Sequence, residues 1–150
     1  MKEIIITNME KISPKHHEHN QYEHYNYEVE RNQMVTAFYM IPPGKSNWPF
    51  HYHTANEEVF YVISGNGILE TVDEKHTIVA GDIVVCPVGE KGAHKITNSS
   101  ETENLVYLDI DTNNKPEIVY YPHSNKLGVR APGIYDNYRL DSKVDYYDGE

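Results

Sequence analysis

The stretch WPFHYHTANEEVFYVISGNG, residues 48–67, carries the two signals from which the fold of this chain is predicted. Its second half, EEVFYVIS, is rich in β-branched and aromatic residues and is followed by Gly-Asn-Gly, which is typical of a β-strand that ends in a turn. Its first half holds His51 and His53, whose side chains share one face of an extended segment because successive residues alternate between faces. The stretch therefore predicts a strand preceded by two imidazoles that point the same way.

Short predicted strands continue on both sides of this stretch. Runs of β-branched and aromatic residues alternate with turn signals such as Pro-Pro-Gly and Ala-Gly-Asp, whereas segments with helical spacing and helix caps are scarce. The predicted strands are EIIIT, MVTAFYMI, EEVFYVIS, GILETV, HTIVA, DIVVCP, HKITN, ENLVYLDI and EIVYY. This spacing predicts an all-β fold, either a sandwich or a barrel.

A chain of 150 residues is long enough for one domain with a substantial core. No break in composition divides residues 33–112, which we predict to be the β-barrel domain. Residues 1–32 are predicted as an N-terminal strand and polar arm, and residues 113–150 as a C-terminal arm packed on the barrel. From about Tyr121 to Glu150 this arm holds too much aromatic and apolar surface for a disordered tail, and none of the candidate ligands, so we expect it to be ordered and structural.

Composition excludes several classes of function. The chain has 13 Lys and Arg against 23 Asp and Glu, a net charge of −10 that repels nucleic acid. No apolar run approaches the roughly 18 residues of a membrane helix, and the N-terminus lacks the apolar stretch of a signal peptide. The single cysteine, Cys86, cannot form an internal disulfide and is predicted to be a buried, inert thiol. We therefore expect a cytoplasmic protein without nucleic-acid or membrane partners.

A second group of histidines lies in the polar segment at residues 13–32, at His16, His17, His19 and His24. This segment shows neither a strand period nor a helix period. Such a segment cannot hold ligands in a fixed arrangement, so we interpret these histidines as part of a solvated loop rather than as a metal site.

The strand after the His-x-His pair offers two carboxylates, Glu57 and Glu58. A carboxylate among core-facing residues needs a partner or a cation. Both faces of this strand are apolar and we expect burial on both, so the period alone leaves the choice between Glu57 and Glu58 open. Further along, His94 begins another short strand after a glycine-rich turn, so that a third imidazole is expected to face inward.

These two stretches resemble the two signature motifs of the cupin superfamily. The first motif is matched by Gly44, His51, His53, Glu58 and Gly65. The second motif is matched by Gly81, Pro87, Gly89, His94 and Asn98. Six residues separate Gly44 from His51 where the pattern has five, and four separate Gly89 from His94 where two are usual. The C-terminal segments YYPHSNKLG and DYYDGE are also similar to the ends of small single-domain, conserved-barrel cupins.

The resemblance implies a cupin-type jelly-roll β-barrel with extended arms and a metal site in its mouth. It selects Glu58 over Glu57 and implies that His51, His53, Glu58 and His94 are the metal ligands. The implied cofactor is a divalent transition metal, Fe, Mn, Ni, Co or Zn. Three neutral imidazoles and one carboxylate would leave a net charge near +1, which favours an oxygen-bearing or anionic small-molecule ligand.

Family resemblance does not fix the reaction, so alternatives stay open. The first is a metal-dependent enzyme that acts on a small organic molecule, either an oxygenase or a sugar-type isomerase or epimerase. The second is a non-catalytic, metal-assisted module that binds or senses a small molecule or sugar. The third is a barrel in which His51 or His53 forms a buried ion pair with Glu58. Acid–base roles for Tyr39, Tyr61, Tyr107 and Asp109 are not assigned, because the strand parity around them is ambiguous.

Strands that are apolar on both faces, such as VFYVI, need cover on the outside of the barrel. A small barrel cannot cover its own outer face, so we predict a two-fold homodimer.

Overall fold

A computed structural model describes residues 3–150 and confirms the prediction of an all-β jelly-roll fold. The strands are β1 (Lys15–His19), β2 (Tyr22–Arg31), β3 (Met34–Ile41), β4 (Tyr52–His53), β5 (Glu58–Ser64), β6 (Asn66–Glu70), β7 (Lys75–Val79), β8 (Ile83–Cys86), β9 (Lys95–Asn98), β10 (Leu105–Thr112), β11 (Glu117–Tyr121), β12 (Lys126–Ala131) and β13 (Ile134–Arg139). Short 3-10 turns lie at Met9–Lys11, Glu90–Gly92 and Pro122–Ser124.

The strands form three antiparallel sheets. One sheet has the order β1-β2-β3-β10-β5-β8, the second β13-β12-β11-β4, and the third β7-β6-β9. The core between them is built from the inward-facing side chains Ala37, Tyr39, Ile41, Phe60, Val62, Leu69, Ile78, Cys86, Ile96, Leu105 and Tyr107. Cys86 is buried, as predicted.

Strand β5 separates its two faces more clearly than the sequence predicted. Glu58, Phe60 and Val62 point into the barrel and are buried. In the single chain the other face is open, with Tyr61 44% exposed and Ile63 41% exposed, so its cover by a second copy stays a prediction. The side-chain alternation of a strand thus places one apolar row in the core and leaves the other on the outside.

The interpretation of residues 13–32 as a solvated loop is wrong. They form the β1–β2 hairpin, which turns at Asn20 with a φ of 56°, and β2 pairs with β3 in the main sheet. His24 and Asn26 point inward and are buried, whereas the histidines of β1 are exposed. The inward residues are polar because they lie against polar partners: His24 Nδ1 lies 3.1 Å from the Asn47 carbonyl oxygen. The hydrophobic alternation that usually reveals a strand is therefore missing.

The predicted strand EIIIT, residues 3–7, does not form. Ile4 is 92% exposed and Ile6 is 90% exposed. A β-branched run favours extended backbone, but a strand also needs a neighbour for its backbone hydrogen bonds, and within residues 3–150 none pairs with this segment.

The C-terminal segment forms the strands β11–β13. Strand β12 pairs with β11 on one side and with β13 on the other, and β11 also pairs with β4 beside the candidate site. Leu127 and Val129 are half-buried, but Ile134 is 42% and Val144 76% exposed, so the burial expected from about Tyr121 to Glu150 is limited to its first part. The division into a barrel at 33–112 and two arms stays a prediction.

No helix within residues 3–150 has the length and apolar character that a membrane crossing requires. The cytoplasmic location also stays a prediction.

Candidate metal centre

The structure brings the four predicted ligand residues together at the place where the three sheets meet. His53 belongs to β4 and Glu58 is the first residue of β5. His51 and His94 form an isolated antiparallel bridge, in which the His51 amide donates to the His94 carbonyl at 3.1 Å and the His94 amide donates to the His51 carbonyl at 2.9 Å. This bridge fixes the two segments that carry the imidazoles relative to each other.

The side chains of these residues converge. One ligand atom each from His51, His53 and Glu58 lies within 4.8 Å of the other two, so this trio can hold a metal ion. The Glu58 carboxylate faces two imidazoles, with Oε1 3.3 Å from His53 Nε2 and Oε2 3.5 Å from His94 Nε2. Glu57, in contrast, is exposed. The assignment of all four residues as metal ligands remains a proposal, and the geometry supports it.

Two of the imidazoles are oriented by the backbone. His51 Nδ1 lies 2.8 Å from the Pro49 carbonyl oxygen, and His94 Nδ1 lies 2.9 Å from the Gly92 carbonyl oxygen. A carbonyl oxygen can only accept, so we assign the proton of each ring to Nδ1, which leaves the Nε2 lone pair directed toward the site. This arrangement is the one in which histidine binds a metal through Nε2.

The long loop before His94 is built around Gly92. Residues Glu90–Gly92 form a 3-10 turn, and a Cβ added at Gly92 would lie 1.8 Å from the Pro87 carbonyl oxygen. Only glycine fits this close approach to the backbone. The two extra residues of the loop are therefore absorbed by the turn, and His94 still reaches Glu58.

His53 is oriented differently, by a carboxylate that the sequence analysis missed. Glu117 Oε1 lies 3.7 Å from His53 Nδ1, an ion-pair distance rather than a hydrogen bond. Glu117 is buried and its position is fixed, because Oε1 accepts from the Thr54 amide at 2.9 Å and Oε2 accepts from the Asn56 side chain. Like Glu58, Glu117 is the first residue of an apolar strand. This shared position is the one feature of the sequence that could have identified Glu117 as a site residue.

The charges of these groups depend on one another. Burial disfavours a charged His53, but the carboxylates of Glu117 and Glu58 outweigh this effect and raise its pKa to about 10. Burial also disfavours a charged Glu58, but the histidines around it, His94 first, lower its pKa to about 2. Burial lowers the pKa of His51 to about 3, and His94 adds to the effect, so His51 is neutral and offers a lone pair.

These protonation states connect two hypotheses made from the sequence, the metal site and the buried ion pair between a histidine and Glu58. With its raised pKa, His53 carries a proton at neutral pH and forms an ion pair with Glu58. A metal ion that binds His53 must displace this proton, because the ligand form of histidine is neutral. The buried ion pair and the metal site therefore use the same side chains, and the donor set fits a divalent transition metal.

We expect Glu117→Gln to lower the pKa of His53 by at least about one unit, because a carboxylate within a few ångströms favours the imidazolium form. Glutamine keeps the size of the side chain and removes its charge. The measurement is an NMR titration of the His53 ring in chelator-treated protein, with Glu103→Gln at an exposed site as control. A His53 pKa that is the same in Glu117→Gln as in the native chain would contradict this role.

The site opens into a cavity of about 480 Å³, and β10 supplies part of its wall. Asp109 and Asp111 line this cavity, and the Oδ1 atom of each is buried and has no hydrogen-bond partner among residues 3–150. Burial, reinforced by Asp111, raises the pKa of Asp109 well above its ordinary value. Burial, reinforced by Glu58, raises the pKa of Asp111 to about 7. The pair therefore holds at least one proton near neutral pH.

The structure also resolves the strand parity that the sequence left open. Tyr39, Tyr107 and Asp109 face inward and are buried, whereas Tyr61 faces outward. The Asn47 side-chain amide donates to the Tyr107 hydroxyl at 2.6 Å. Tyr61 is therefore excluded as an acid–base group in the cavity.

Comparison with known proteins relates the chain to a known family and fold. The family model described as the cupin domain matches residues 37–111, half of the 150 residues of the chain. An uncharacterized protein from Methanocaldococcus jannaschii is 34% identical over 58 residues, and the match covers 39% of this chain and 45% of that relative. The chain thus spans less than half of the length of this curated relative.

Two solved structures match almost the whole chain. A candidate sugar phosphate isomerase from Acidithiobacillus ferrooxidans is 27% identical with a TM-score of 0.82, and the match covers 94% of this chain and 95% of that protein. A cupin-superfamily sugar phosphate isomerase from Silicibacter pomeroyi has a TM-score of 0.82 at 17% identity, over 96% and 98% of the two chains, and shows the fold alone. Since the cupin family model covers half of the chain and includes both predicted motifs, from Gly44 to Asn98, this protein belongs to the cupin family.

Proposed function

We propose that this protein is a metal-dependent isomerase that acts on a small, sugar-type molecule. The observation that carries the proposal is the placement of a His-His-Glu cluster and a proton-holding carboxyl pair in one cavity. The volume of about 480 Å³ lies within the roughly 300–1,000 Å³ range of small-molecule sites. The likeness to the candidate sugar phosphate isomerase, at 27% identity, supports this class of reaction over oxygenation.

The reaction needs a group that both removes and returns a proton, because an aldose and a ketose differ in the position of hydrogen on neighbouring carbons. Bound to His51, His53, Glu58 and His94, a divalent metal would supply Lewis-acid polarisation of the substrate carbonyl. Asp111, with a pKa of about 7, is suited to take the proton from the carbon beside that carbonyl and to return it to the neighbouring carbon. Asp109, protonated and buried next to it, would give a proton to the carbonyl oxygen as the enediol forms and take one back from the neighbouring hydroxyl as the new carbonyl forms.

The test is isomerisation in D₂O of a panel of aldose and ketose phosphates by protein loaded in turn with Mn, Fe, Co, Ni and Zn. Deuterium incorporation beside the carbonyl is followed by NMR. We expect Asp111→Asn to lower the rate by about 100- to 10,000-fold, because general acid–base catalysis contributes about that much. Its metal content should be unchanged.

The control is Asp73→Asn, which changes an exposed carboxylate in a turn and should leave the rate as it is. Sugar binding without isomer formation or deuterium incorporation at any metal would contradict the isomerase. That outcome would favour the alternative function, a non-catalytic, metal-assisted binding or sensing module.

We also propose that the protein is a homodimer. The outer face of β5 and β8 presents an apolar row in which Ile83 is 67% exposed and Val85 is 56% exposed, next to Tyr61 and Ile63. Burial of such a row against a second copy removes apolar surface from water. Light scattering at micromolar concentration should give the mass of a dimer, and Ile83→Glu should give a monomer. A native chain that is monomeric in this measurement would contradict the proposal.

A further inference from the structure

Apart from the candidate metal ligands and the Asp109–Asp111 pair, the cavity wall includes the guanidinium of Arg130 on β12, which is held in a fixed position. Its Nη1 donates to the carbonyl oxygens of Val129 at 3.1 Å and Asp136 at 3.0 Å, and its Nη2 donates to Asn137 Oδ1 at 3.1 Å. Its Cζ atom lies 4.3 Å from the centre of the Tyr135 ring. These contacts hold the guanidinium in one place rather than leaving it free in solvent.

Gly128 supplies the space in which this group lies. A Cβ added at Gly128 would be 2.8 and 2.9 Å from the two terminal nitrogens of Arg130 and 2.7 Å from Asn137 Oδ1. Any other residue at position 128 would therefore displace the guanidinium. In the sequence Gly128-Val129-Arg130, the arginine thus provides the charge and the glycine provides the space that fixes where the charge lies.

No carboxylate neutralises Arg130 within the part of the chain that the structure describes. Glu117 lies directly opposite it in the β11–β12 register, yet the Glu117 carboxylate is engaged by Thr54 and Asn56 and faces His53. The other arginine of the cavity, Arg31, is paired with Glu28 at 3.3 Å. A guanidinium has five N–H donors, and Arg130 uses three in these contacts, so two remain for the Tyr121 hydroxyl beside it and for a ligand.

Tyr121 connects this group with the metal centre. Its ring is stacked on His51 with the ring centres 5.9 Å apart. Burial raises the pKa of Tyr121, and the nearby charge of Arg130 acts in the opposite direction. The cavity is therefore lined by the candidate ligands His51, His53 and Glu58 and by the guanidinium of Arg130, and Tyr121 contacts both groups.

We propose that Arg130 and the Tyr121 hydroxyl form the subsite for an anionic group, a phosphoryl or carboxylate oxyanion, on the substrate whose carbonyl end reaches the metal centre. Planar guanidinium donors match the oxygens of both groups, and such charge-assisted hydrogen bonds are about twice as strong as neutral ones. This inference rests on the proposed isomerase and deepens it by naming the substrate class as an anionic sugar derivative.

The test uses chelator-treated protein, so that an anion bound through the metal does not contribute. Calorimetric titrations with D-ribose 5-phosphate, D-glucuronate and D-ribose compare a phosphoryl group, a carboxylate and a neutral sugar. We expect at least one anionic probe to bind more tightly than D-ribose, and the tighter of the two anions identifies the group. Arg130→Gln should weaken the binding of that anion about 10- to 100-fold and leave D-ribose unaffected.

Arg139→Gln is the matched control, since Arg139 is an exposed arginine on the neighbouring strand and does not line the cavity. Gly128→Ala keeps the charge of Arg130 but moves it, and should also weaken anion binding. Metal content should be unchanged in all three variants. Equal anion affinity in Arg130→Gln and Arg139→Gln, or no measurable binding of either anion, would overturn the subsite. Because no step of the titration depends on turnover, its result is independent of the isomerase assay.

Discussion

His51→Ala and His53→Ala are each expected to raise the dissociation constant of the metal by more than about 100-fold. Loss of a residue outside the coordination sphere typically costs about 10- to 100-fold, and loss of a direct ligand should cost more. The physical reason is that the ligand atoms of His51, His53 and Glu58 lie within 4.8 Å of one another and can share a single cation. The measurements are metal content of the purified variants and competition against a chelator of known affinity.

The chain provides its own controls for this prediction. His17 belongs to a second His-x-His pair with His19, but both lie exposed on β1, so His17→Ala should keep the metal. His94→Ala should lose it, and Glu58→Gln should weaken binding more than Glu57→Gln does, because Glu57 is exposed. Equal metal content in all the variants would reject the ligand assignment, and the reverse order of the two glutamates would reject Glu58.

Truncation after Asn113 is expected to lower the melting temperature sharply or to abolish soluble expression. It removes β11–β13, and β11 is the strand that pairs with β4 beside the site. It also removes the buried side chains of Val119 and Glu117. Burial of each large apolar side chain contributes about 1.5–3 kcal/mol, and a whole domain is stable by only about 5–15 kcal/mol. Thermal unfolding followed by circular dichroism measures the effect.

The same truncation separates two expectations about the metal. From the sequence, any surviving protein should keep its metal, because no ligand lies beyond Asn113. The position of Glu117 beside His53 now predicts weaker binding in that protein. A second truncation, after Leu140, removes only the exposed residues 141–150 and should melt like the full chain. If both truncated chains melt like the full chain, β11–β13 are dispensable for stability.

The sequence predicts the arrangement of the candidate site where its residues are neighbours along one extended segment. His51 and His53 are two residues apart on extended backbone, so their common direction follows from strand alternation alone. Glu117 and Asp111 approach the same place through pairing with β4 and β5, and these pairings depend on the sheet order rather than on any short segment. Their roles therefore required the fold.

The N-terminal region departs twice from the sequence-based prediction for one physical reason, because an apolar pattern alone does not determine where a strand forms. The β1–β2 hairpin directs His24 and Asn26 inward, so its strands lack apolar alternation and their sequence is that of a loop. Residues 3–7 have an apolar run but no neighbouring strand within the described chain, and they remain exposed. Strand formation depends on a backbone partner at least as much as on the side chains.

The meeting of three sheets at one site has a consequence for the stability of the protein. His53 comes from the four-stranded sheet, Glu58 from the six-stranded sheet, and His94 directly precedes a strand of the three-stranded sheet. A bound ion would thus act as a cross-link among all three, and at a free concentration 1,000 times the dissociation constant it would add about 4 kcal/mol to the free energy of unfolding. Removal of the ion would loosen the three sheets together, so metal supply would set the thermal tolerance of the whole barrel and not only the state of one site.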